Sequence, residues 1–538
     1  MAQFPLIDQA SLAMIPGAYK ESKVYSQLPT DGSGDFTFSR GTDNATRVNE
    51  ERLIEKGYEN LLLQSNSFDT VWTNSNTTET GGQADKDGGT DAWLLSKSAA
   101  NGMIYQSITS SGIQTLSVYA KKGTNSWMQI YAVGSSNVRA YYNLGDGTLG
   151  AYALNIIDRN IENIGSGWYR CSVTFNSSIT NVRIFVSDGS NDDTGTSGNI
   201  YIQDAQLNQG LVAYPYLETT AAPAYGGITA NQPRLNYTGD CPSLFVEESR
   251  TNSVTQSEYL TGQKSVITYN NQISPEGLEN ALKQTGDGSV PYFYIDTRPT
   301  LPSSGTYNVS IFVKKGTTDW FRIRVRDLDT FYYANFNITS KVIGQHNSTT
   351  TPQIVDYPND WKRISMTFET TTDLSAQFNI APMDGDEDEV FPDTSLEYAY
   401  FYGLQCEKGS YPSSYIPTYG SAQTRAAETL TATKTLPSEG TLYINVGGTT
   451  QPKLSVLGEF FNASATENKV AIAYSATALK ISHNGSIVVD KTGTYDVSSL
   501  TEIDLGHDGG TDQSDTSIGE FITFGSFLTT TELNALTQ

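Results

Sequence analysis

Consecutive aromatic residues occur at two places in the chain where they could bind a sugar. Tyr141 and Tyr142 are adjacent at the first place, and Phe331, Tyr332 and Tyr333 form the second. An exposed aromatic ring can stack on the C–H face of a pyranose while surrounding amides and carboxylates bind its hydroxyl groups. Because neighbouring residues of a strand point to opposite faces, one ring of each set is expected on the outside. We therefore predict carbohydrate-binding positions at Tyr141, Tyr142, Tyr332 and Tyr333.

Two acidic loops offer a second kind of chemistry. The segments 188–193 and 384–389 begin at Asp188 and Asp384, 196 residues apart, and both combine clustered carboxylates with glycine. Such clusters can bind Ca²⁺ through oxygen ligands. The twelve-residue spacing of a dedicated calcium loop is absent, so solvated turns are the favoured interpretation and no metal site is predicted. Calcium binding by either loop stays open as the alternative.

Side chains for catalysis are few. Hydrolysis of a glycan needs two carboxylates at a defined separation, one protonated and one ionised, and no motif fixes such a pair. The histidines, His346, His483 and His507, stand among Gly, Asn and Asp in loop-like surroundings, which leaves little for a catalytic triad or a zinc site. No Gly-x-Ser-x-Gly elbow or phosphate-binding loop occurs. The sequence therefore predicts neither an enzyme nor a bound cofactor.

The elements that must hold these residues come in two copies. The stretch Ser117–Trp127 returns as Ser310–Trp320, and both stretches have an alternating apolar run, a Lys-Gly turn and a closing tryptophan. Further pairs repeat at similar spacing: Trp168 with Trp361 and Phe175 with Phe368 at 193 residues, Asn60 with Asn252 at 192, and Gln206 with Gln405 at 199. A spacing this long indicates tandem domains rather than short repeats. The four repeated tryptophans are expected in the cores: Trp127, Trp168, Trp320 and Trp361.

Short runs of alternating polarity, separated by Gly, Asn and Asp, fill both copies and predict strands rather than helices. Two-sheet jelly rolls are the simplest architecture for such a pattern. We therefore predict an all-β chain with an arm and lead-in segment at 1–56, jelly rolls at 57–222 and 252–422, a linker at 223–251, and a C-terminal β-sandwich at 423–538. A short helix after the last strand is expected to have Thr529 or Thr530 as its N-cap.

The N-terminal arm is too interrupted by Pro and Gly to form a core alone, so it must lie on this chain or on a neighbouring subunit. Each domain is also preceded by an arginine, at Arg47, Arg234 and Arg425. We interpret these arginines as structural, with each guanidinium binding carboxylates or carbonyls of the domain that follows.

Three features together resemble a known family. They are the Lys-Gly-Thr-x-x-Trp turn, the late x-Trp-x-Arg strand and the exit segment 405–418. They resemble the carbohydrate-binding-module type of jelly roll that occurs in tandem in structural proteins of tailed bacteriophages. The leader at 15–49 is similar to the opening of such proteins, and the resemblance covers most of the first 425 residues. Residues 427–538 resemble, over a shorter stretch, the closing part of laminin-G and concanavalin-like sandwiches.

Composition narrows the partners. The chain of 538 residues has 34 Lys and Arg against 58 Asp and Glu, a net charge of −24, which disfavours nucleic acid and anionic membranes. The three cysteines, Cys171, Cys241 and Cys406, are expected as free thiols. The N-terminus lacks the pattern of a secretory signal, and no stretch is apolar enough for a membrane helix.

The resemblance implies a virion protein of a tailed phage, such as a tail or head fibre, an appendage or a decoration subunit. It would be located in the virion, attach to other virion proteins through the N-terminal arm, bind a host-surface glycan without turnover, and form a homo-oligomer, with a trimer favoured. Two alternatives stay open: a polysaccharide depolymerase with accessory modules, and a purely structural assembly subunit.

Overall fold

The computed structural model describes residues 6–239, 241–327, 330–371, 376–387, 394–448, 453–456, 459–462, 468–497, 501–505 and 516–538. Strands hold 54% of the chain and helices 3%, which confirms the all-β prediction. The strands form two jelly rolls and one further β-sandwich.

The first jelly roll follows six short strands and consists of two six-stranded antiparallel sheets. The short strands are β1 (Ala10–Met14), β2 (Tyr19–Lys20), β3 (Lys23–Val24), β4 (Phe36–Ser39), β5 (Thr46–Val48) and β6 (Ile54–Lys56), with a 3-10 turn, Ile7–Gln9, before them. The next thirteen are β7 (Tyr58–Asn60), β8 (Thr73–Ser75), β9 (Thr77–Gln83), β10 (Ala92–Lys97), β11 (Met103–Ser110), β12 (Ile113–Lys122), β13 (Trp127–Gly134), β14 (Val138–Asn143), β15 (Thr148–Tyr152), β16 (Ile156–Gly165), β17 (Trp168–Asn176), β18 (Ile179–Ser187) and β19 (Gly198–Gln209). The sheet orders are β16-β17-β12-β19-β10-β9 and β15-β14-β13-β18-β11-β8.

The second jelly roll repeats this arrangement strand for strand. Between the two lie β20 (Ala224–Gly226), β21 (Arg234–Asn236), β22 (Ser243–Val246) and β23 (Arg250–Asn252). The second copy comprises β24 (Gly262–Gln263), β25 (Ser265–Gln272), β26 (Ala281–Gly286), β27 (Tyr294–Thr297), β28 (Gly305–Lys314), β29 (Trp320–Asp327), β30 (Thr330–Asn337), β31 (Val342–His346), β32 (Gln353–Asp356), β33 (Lys362–Thr370), β34 (Gln377–Met383) and β35 (Tyr398–Lys408), with a 3-10 turn at Thr394–Leu396. Its sheets run β32-β33-β28-β35-β26-β25 and β31-β30-β29-β34-β27-β24. The duplication predicted from the sequence is therefore a duplication of fold.

The repeated tryptophans divide into two pairs. Trp168 and Trp361 are fully buried, as expected. Trp127 and Trp320 are only half-buried, so the core prediction is wrong for them. Each begins a strand whose following residue belongs to the core, and strand alternation therefore places the tryptophan on the opposite, outer face of the sheet.

A third sandwich contains the C-terminal strands together with parts of the N-terminal arm and the linker. The remaining strands are β36 (Gln423–Arg425), β37 (Thr429–Thr433), β38 (Gly440–Gly448), β39 (Lys453–Val456), β40 (Glu459–Asn462), β41 (Asn468–Tyr474), β42 (Ala478–His483), β43 (Ser486–Thr492), β44 (Glu502–Leu505) and β45 (Thr516–Phe524). One sheet runs β21-β22-β45-β38-β41-β42-β43, with β1 also paired to β45, and the other runs β2-β3-β4-β37-β44. We call this unit the composite sandwich.

The N-terminal arm differs from the prediction. Strand β1 pairs with β45 in antiparallel register, with Ala10 opposite Phe524 and Met14 opposite Phe521. Leu12, Met14 and Phe36 are fully buried in the core of the composite sandwich. The arm therefore lies on its own chain, and the sequence boundary at residue 56 separates strands that share one core.

A short helix closes the chain. Helix α1 (Thr530–Leu536) has Thr529 as its N-cap, in a capping box with Glu532, which confirms one of the two expected caps. Leu533 and Leu536 pack it on the composite sandwich.

Replacing Thr529 by alanine is expected to loosen this helix. The cap contributes about 1 kcal/mol, so the amide of Glu532, which donates to Thr529 Oγ1 at 3.4 Å, should exchange with solvent about fivefold faster. Hydrogen exchange of the two proteins measures this. Thr531→Ala, at an exposed position in the same helix, is the control, and equal exchange in both variants would contradict a capping role.

The three domains meet around a buried ionic network that we call the junction network. It consists of Arg40, Arg234, Arg425, Glu247 and Glu428, each at most 2% exposed. Arg234 donates to Glu428 Oε1 at 2.7 Å and to Glu247 Oε2 at 2.7 Å. Arg40 reaches Glu428 Oε1 at 2.8 Å, and Arg425 reaches Glu247 Oε2 at 3.0 Å. The predicted structural arginines Arg234 and Arg425 are thus confirmed, because both bind carboxylates next to the domains that they precede.

Arg47 has the same role outside this network. It binds Glu55 at 2.7 Å and donates to the Tyr19 hydroxyl at 2.9 Å. The pair spans β5 and β6, where Arg47 lies directly opposite Glu55. The third predicted structural arginine is therefore also confirmed.

Candidate functional site

The tyrosines predicted in the first jelly roll are both buried. Tyr141 is 3% exposed and Tyr142 is fully buried, so the expectation that one ring of this pair is accessible is wrong. Tyr142 faces the core and donates to Ser172 O at 2.7 Å. Tyr141 lies on the outer face, where its hydroxyl donates to Asp193 Oδ2 at 2.9 Å. Alternation therefore holds, but the loop that carries Asp193 covers the outward ring.

This loop is the first of the two acidic loops, and its carboxylates are used within the fold. Asp193 also accepts from Ser187 Oγ at 2.6 Å and from Gln129 at 3.3 Å, while Asp188 pairs with Lys97 at 2.6 Å. The interpretation as a solvated turn is therefore incomplete, because the loop is anchored on the sheet. Within the described residues, no group of three or more His, Cys, Asp or Glu side chains is arranged to hold a metal ion.

The second acidic loop lies partly outside the described residues, from residue 388 onward. Its described part repeats the first loop in one contact: Asp386, 193 residues after Asp193, accepts from the Asn335 amide at 3.0 Å and from the Gln345 backbone N–H at 2.8 Å. Asn335 lies opposite Arg322, as Tyr141 lies opposite Gln129. The two loops therefore occupy equivalent places.

The predicted aromatic residues of the second jelly roll separate as strand alternation requires. Tyr332 packs against the core, and its ring lies 6.2 Å from that of Phe368. Phe331 is 49% exposed. Tyr333 is half-buried on the outer face, with the Arg322 guanidinium 5.3 Å from its ring centre. Tyr333 is therefore the predicted tyrosine that lies on a surface with other polar groups.

Next to Tyr333, the outer face of the second jelly roll contains a cavity of about 310 Å³. We call it the arginine pocket. Its lining comes from β27, β29 and β34 and the residues before β27: Tyr292, Phe293, Tyr294, Arg322, Arg324, Asn379, Ala381 and Pro382. Tyr292 is 43% exposed and stacks on Tyr294 with 6.4 Å between ring centres. A partly exposed aromatic pair beside amides and guanidinium groups is an arrangement that can bind a sugar ring and its substituents.

Cross-strand neighbours hold both arginines in place. Arg324 donates to Asn379 Oδ1 at 3.1 Å, and Asn379 in turn donates to Asp296 Oδ1 at 3.1 Å. These three residues lie side by side on β29, β34 and β27. Arg322 repeats the pattern on its other side, because it donates to Asn335 Oδ1 at 2.7 Å and Asn335 donates to Asp386. Each guanidinium is thus oriented by an asparagine that is itself fixed by an aspartate.

The same face of the first jelly roll has different chemistry. Gln129 and Tyr131 stand where the second copy has Arg322 and Arg324. Tyr131 stacks on Phe185, and the guanidinium groups of Arg139 and Arg183 lie 5.7 and 5.4 Å from its ring centre. The duplicated fold therefore presents two distinct outer faces.

A larger cavity, of about 470 Å³, lies where the composite sandwich meets the lead-in hairpin, and is lined by Tyr19, Tyr237 and glutamates. Its polar groups are engaged with one another. The Tyr19 hydroxyl accepts from Arg47 at 2.9 Å and from Gln232 at 2.9 Å, while Tyr237 donates to Glu50 at 3.0 Å. We therefore place the candidate site at the arginine pocket.

Two carboxylates face one lysine inside the molecule, in an arrangement that we call the lysine centre. Lys56 Nζ lies 2.6 Å from Glu258 and 2.5 Å from Glu276, and all three side chains are at most 3% exposed. Four tyrosines surround them: Tyr214, Tyr402, Tyr415 and Tyr419. Burial raises the pKa of Glu276 against the opposing effect of Lys56. A catalytic acid has such a pKa, but this acid is sealed between domains, so its environment is that of a structural contact.

The remaining reactive side chains are isolated. His346 and His483 contact Gly344 O at 2.9 Å and Asn468 Oδ1 at 2.8 Å, and His507 lies outside the described residues. All three cysteines are free, as expected, and burial raises the pKa of the Cys171 and Cys406 thiols. None of the described helical segments has the length and apolar character needed to span a bilayer.

Sequence reasoning missed the arginine pocket because its residues are far apart in the chain. Tyr292, Arg324 and Asn379 come together only through the pairing of β27, β29 and β34. One signal was present: Arg322, Arg324 and Arg326 alternate along a single strand of an acidic chain, and such alternation puts all three on one face.

Comparisons with known proteins add little. No protein-family model matches the chain, and no curated protein matches it. Among solved structures, the tandem CBM51 modules of a family 98 glycoside hydrolase from Streptococcus pneumoniae match at 9% identity, over 64% of this chain and 93% of that chain, with a TM-score of 0.14. A TM-score this low carries no argument about the ligand.

Proposed function

We propose that this chain is a non-enzymatic adhesion protein that binds a glycan in the arginine pocket of its second jelly roll. One observation carries the proposal: Tyr292, 43% exposed and stacked on Tyr294, stands beside Arg324 and Asn379 at the mouth of the cavity. The ring offers a stacking surface for a pyranose, and the polar groups can bind its hydroxyls and substituents.

Tyr292→Ala is expected to weaken glycan binding about tenfold, because stacking and burial of one aromatic ring contribute about 1.5 kcal/mol. Binding of wild type and variant to a glycan array, followed by titration of the best ligand, measures this. Tyr25→Ala is the matched control, since Tyr25 is 40% exposed in the composite sandwich. Equal binding by Tyr292→Ala and the wild type would overturn the proposal, and so would release of reducing ends from a bound polysaccharide.

We further propose a location in the virion of a tailed phage, as part of a fibre, appendage or decoration. The support is the leader at 15–49, which resembles the opening of such proteins. Since described residues of this leader lie in strands of the composite sandwich or beside it, we place attachment to other virion proteins on that sandwich rather than on a free arm. A homotrimer is the proposed assembly, in which several weak sites would act together. Mass spectrometry of purified particles tests the location, and light scattering tests the assembly.

A further inference from the structure

Resting on the glycan-binding proposal, we propose that the ligand of the arginine pocket carries an anionic group, a carboxylate, sulfate or phosphate, bound by Arg322 and Arg324. Class of ligand is thereby specified for the second jelly roll alone. The argument uses the placement of the two guanidinium groups, the way they are held, and the contrast with the first copy.

The two arginines point the same way over one cavity. They are two residues apart on β29 and both line the pocket, so their Cα atoms are about 7 Å apart. Two like charges this close are unfavourable unless an anion lies near both. Burial and the neighbouring Arg324 lower the pKa of Arg322, which reflects this unfavourable placement.

The nearest carboxylates orient the arginines without neutralising them directly. Asp296 reaches Arg324 through Asn379, and Asp386 reaches Arg322 through Asn335. Arg324 donates to Asn379 and to no other described residue. A guanidinium has five N–H donors, so most of those of Arg324 are left for a ligand. Planar, bidentate donors fixed in this way suit a carboxylate, sulfate or phosphate oxygen pair.

Size and charge agree with a charged sugar. A cavity of about 310 Å³ is at the lower end of small-molecule sites, which fits one or two sugar rings. The chain as a whole carries −24, so its general field repels polyanions. Recognition of an acidic glycan would therefore depend on this local pair of cations and not on bulk attraction.

The first jelly roll provides an internal comparison. Gln129 and Tyr131 replace the two arginines there, and its own arginines, Arg139 and Arg183, lie over the Tyr131 ring. We therefore expect the preference for an anion to reside in the second copy.

The test is an array of matched glycan pairs: uronates with their methyl esters, sialylated with asialo glycans, and sulfated or phosphorylated with unmodified ones. Wild-type protein is expected to bind at least one acidic member about tenfold or more tightly than its neutral partner, and the preference should weaken as salt is raised. The type of pair that shows it identifies the anion.

Arg324→Gln is expected to abolish that preference while binding to the neutral partner persists, and Arg324→Lys to restore only part of it. Arg139→Gln removes the same charge from the first copy and should change nothing. Thermal unfolding checks that the variants are folded.

The outcomes separate this inference from the broader proposal. Binding of neutral glycans alone, lost in Tyr292→Ala, would overturn the anionic inference and leave glycan adhesion standing. An acidic preference that Arg324→Gln and Arg139→Gln reduce equally would also overturn it, since bulk charge would then be the cause. Silence across the array would overturn both.

Discussion

Replacing Arg234 by methionine is expected to destabilise the protein by about 3–5 kcal/mol, because it leaves buried carboxylates without their cation. Arg234 joins Glu428 and Glu247, and it also donates to Thr46 O at 2.8 Å. Urea unfolding followed by circular dichroism measures the loss. Lys341→Met, which breaks a salt bridge to Asp356 whose side chains are 57% and 52% exposed, is the control and should cost at most about 1 kcal/mol. Similar losses in the two variants would show that the junction network contributes no more than a surface pair.

The junction network also predicts how stability depends on pH. Burial alone would raise the pKa of Glu247, but Arg425 and Arg234 hold it at about 2, below the ordinary 4.5. A carboxyl whose pKa is lowered by folding stabilises the folded state above its unfolded pKa. About 3 kcal/mol should therefore be present at neutral pH and be lost progressively as pH falls from about 5 to about 2. In Arg234→Met this acid dependence should be smaller, because less of the lowering remains.

Replacing Lys56 by methionine is expected to cost a similar 3–5 kcal/mol, since Glu258 and Glu276 would be left buried together without a cation. The lysine centre links the lead-in strand β6 to the second jelly roll, and Tyr214 of the first jelly roll donates to Glu276 at 3.3 Å. Loss of Lys56 should therefore also loosen the contact between the two jelly rolls. Urea unfolding measures the first effect, and limited proteolysis between residues 210 and 252 measures the second.

The loss in Lys56→Met should be largest near pH 8 and shrink towards pH 5. Without the lysine, the two carboxylates take up protons more readily than in the wild type, and a neutral acid is easier to bury. A loss that stays constant over this range would mean that the lysine acts through packing alone. Lys341→Met again provides the exposed comparison.

Local pattern was enough to predict the jelly rolls. The spacing of Trp127 to Trp320 and of Trp168 to Trp361 marks a duplication, and the two copies have the same strand order. The structural arginines Arg234 and Arg425 could be predicted as well, because a basic side chain before each domain has few alternatives to a carboxylate partner.

What the sequence did not reveal depends on contacts between distant residues. The ring of Tyr141 has the expected side of its strand, yet Asp193 from a later loop covers it. Met14 has an apolar neighbourhood in the sequence, but nothing there indicates a partner such as Phe521, 507 residues later. The arginine pocket is of the same kind, since register across three strands decides which side chains meet.

The pairing of β1 with β45 has a consequence for biosynthesis. Each jelly roll holds all its sheet strands within one continuous stretch of chain, so it can fold soon after leaving the ribosome. Strand β1 emerges first but waits for Phe524, which is made almost last. The composite sandwich therefore closes only as translation finishes, around two domains already folded, and a prematurely terminated chain would expose the apolar side chains of Leu12 and Met14 to quality-control proteases and chaperones.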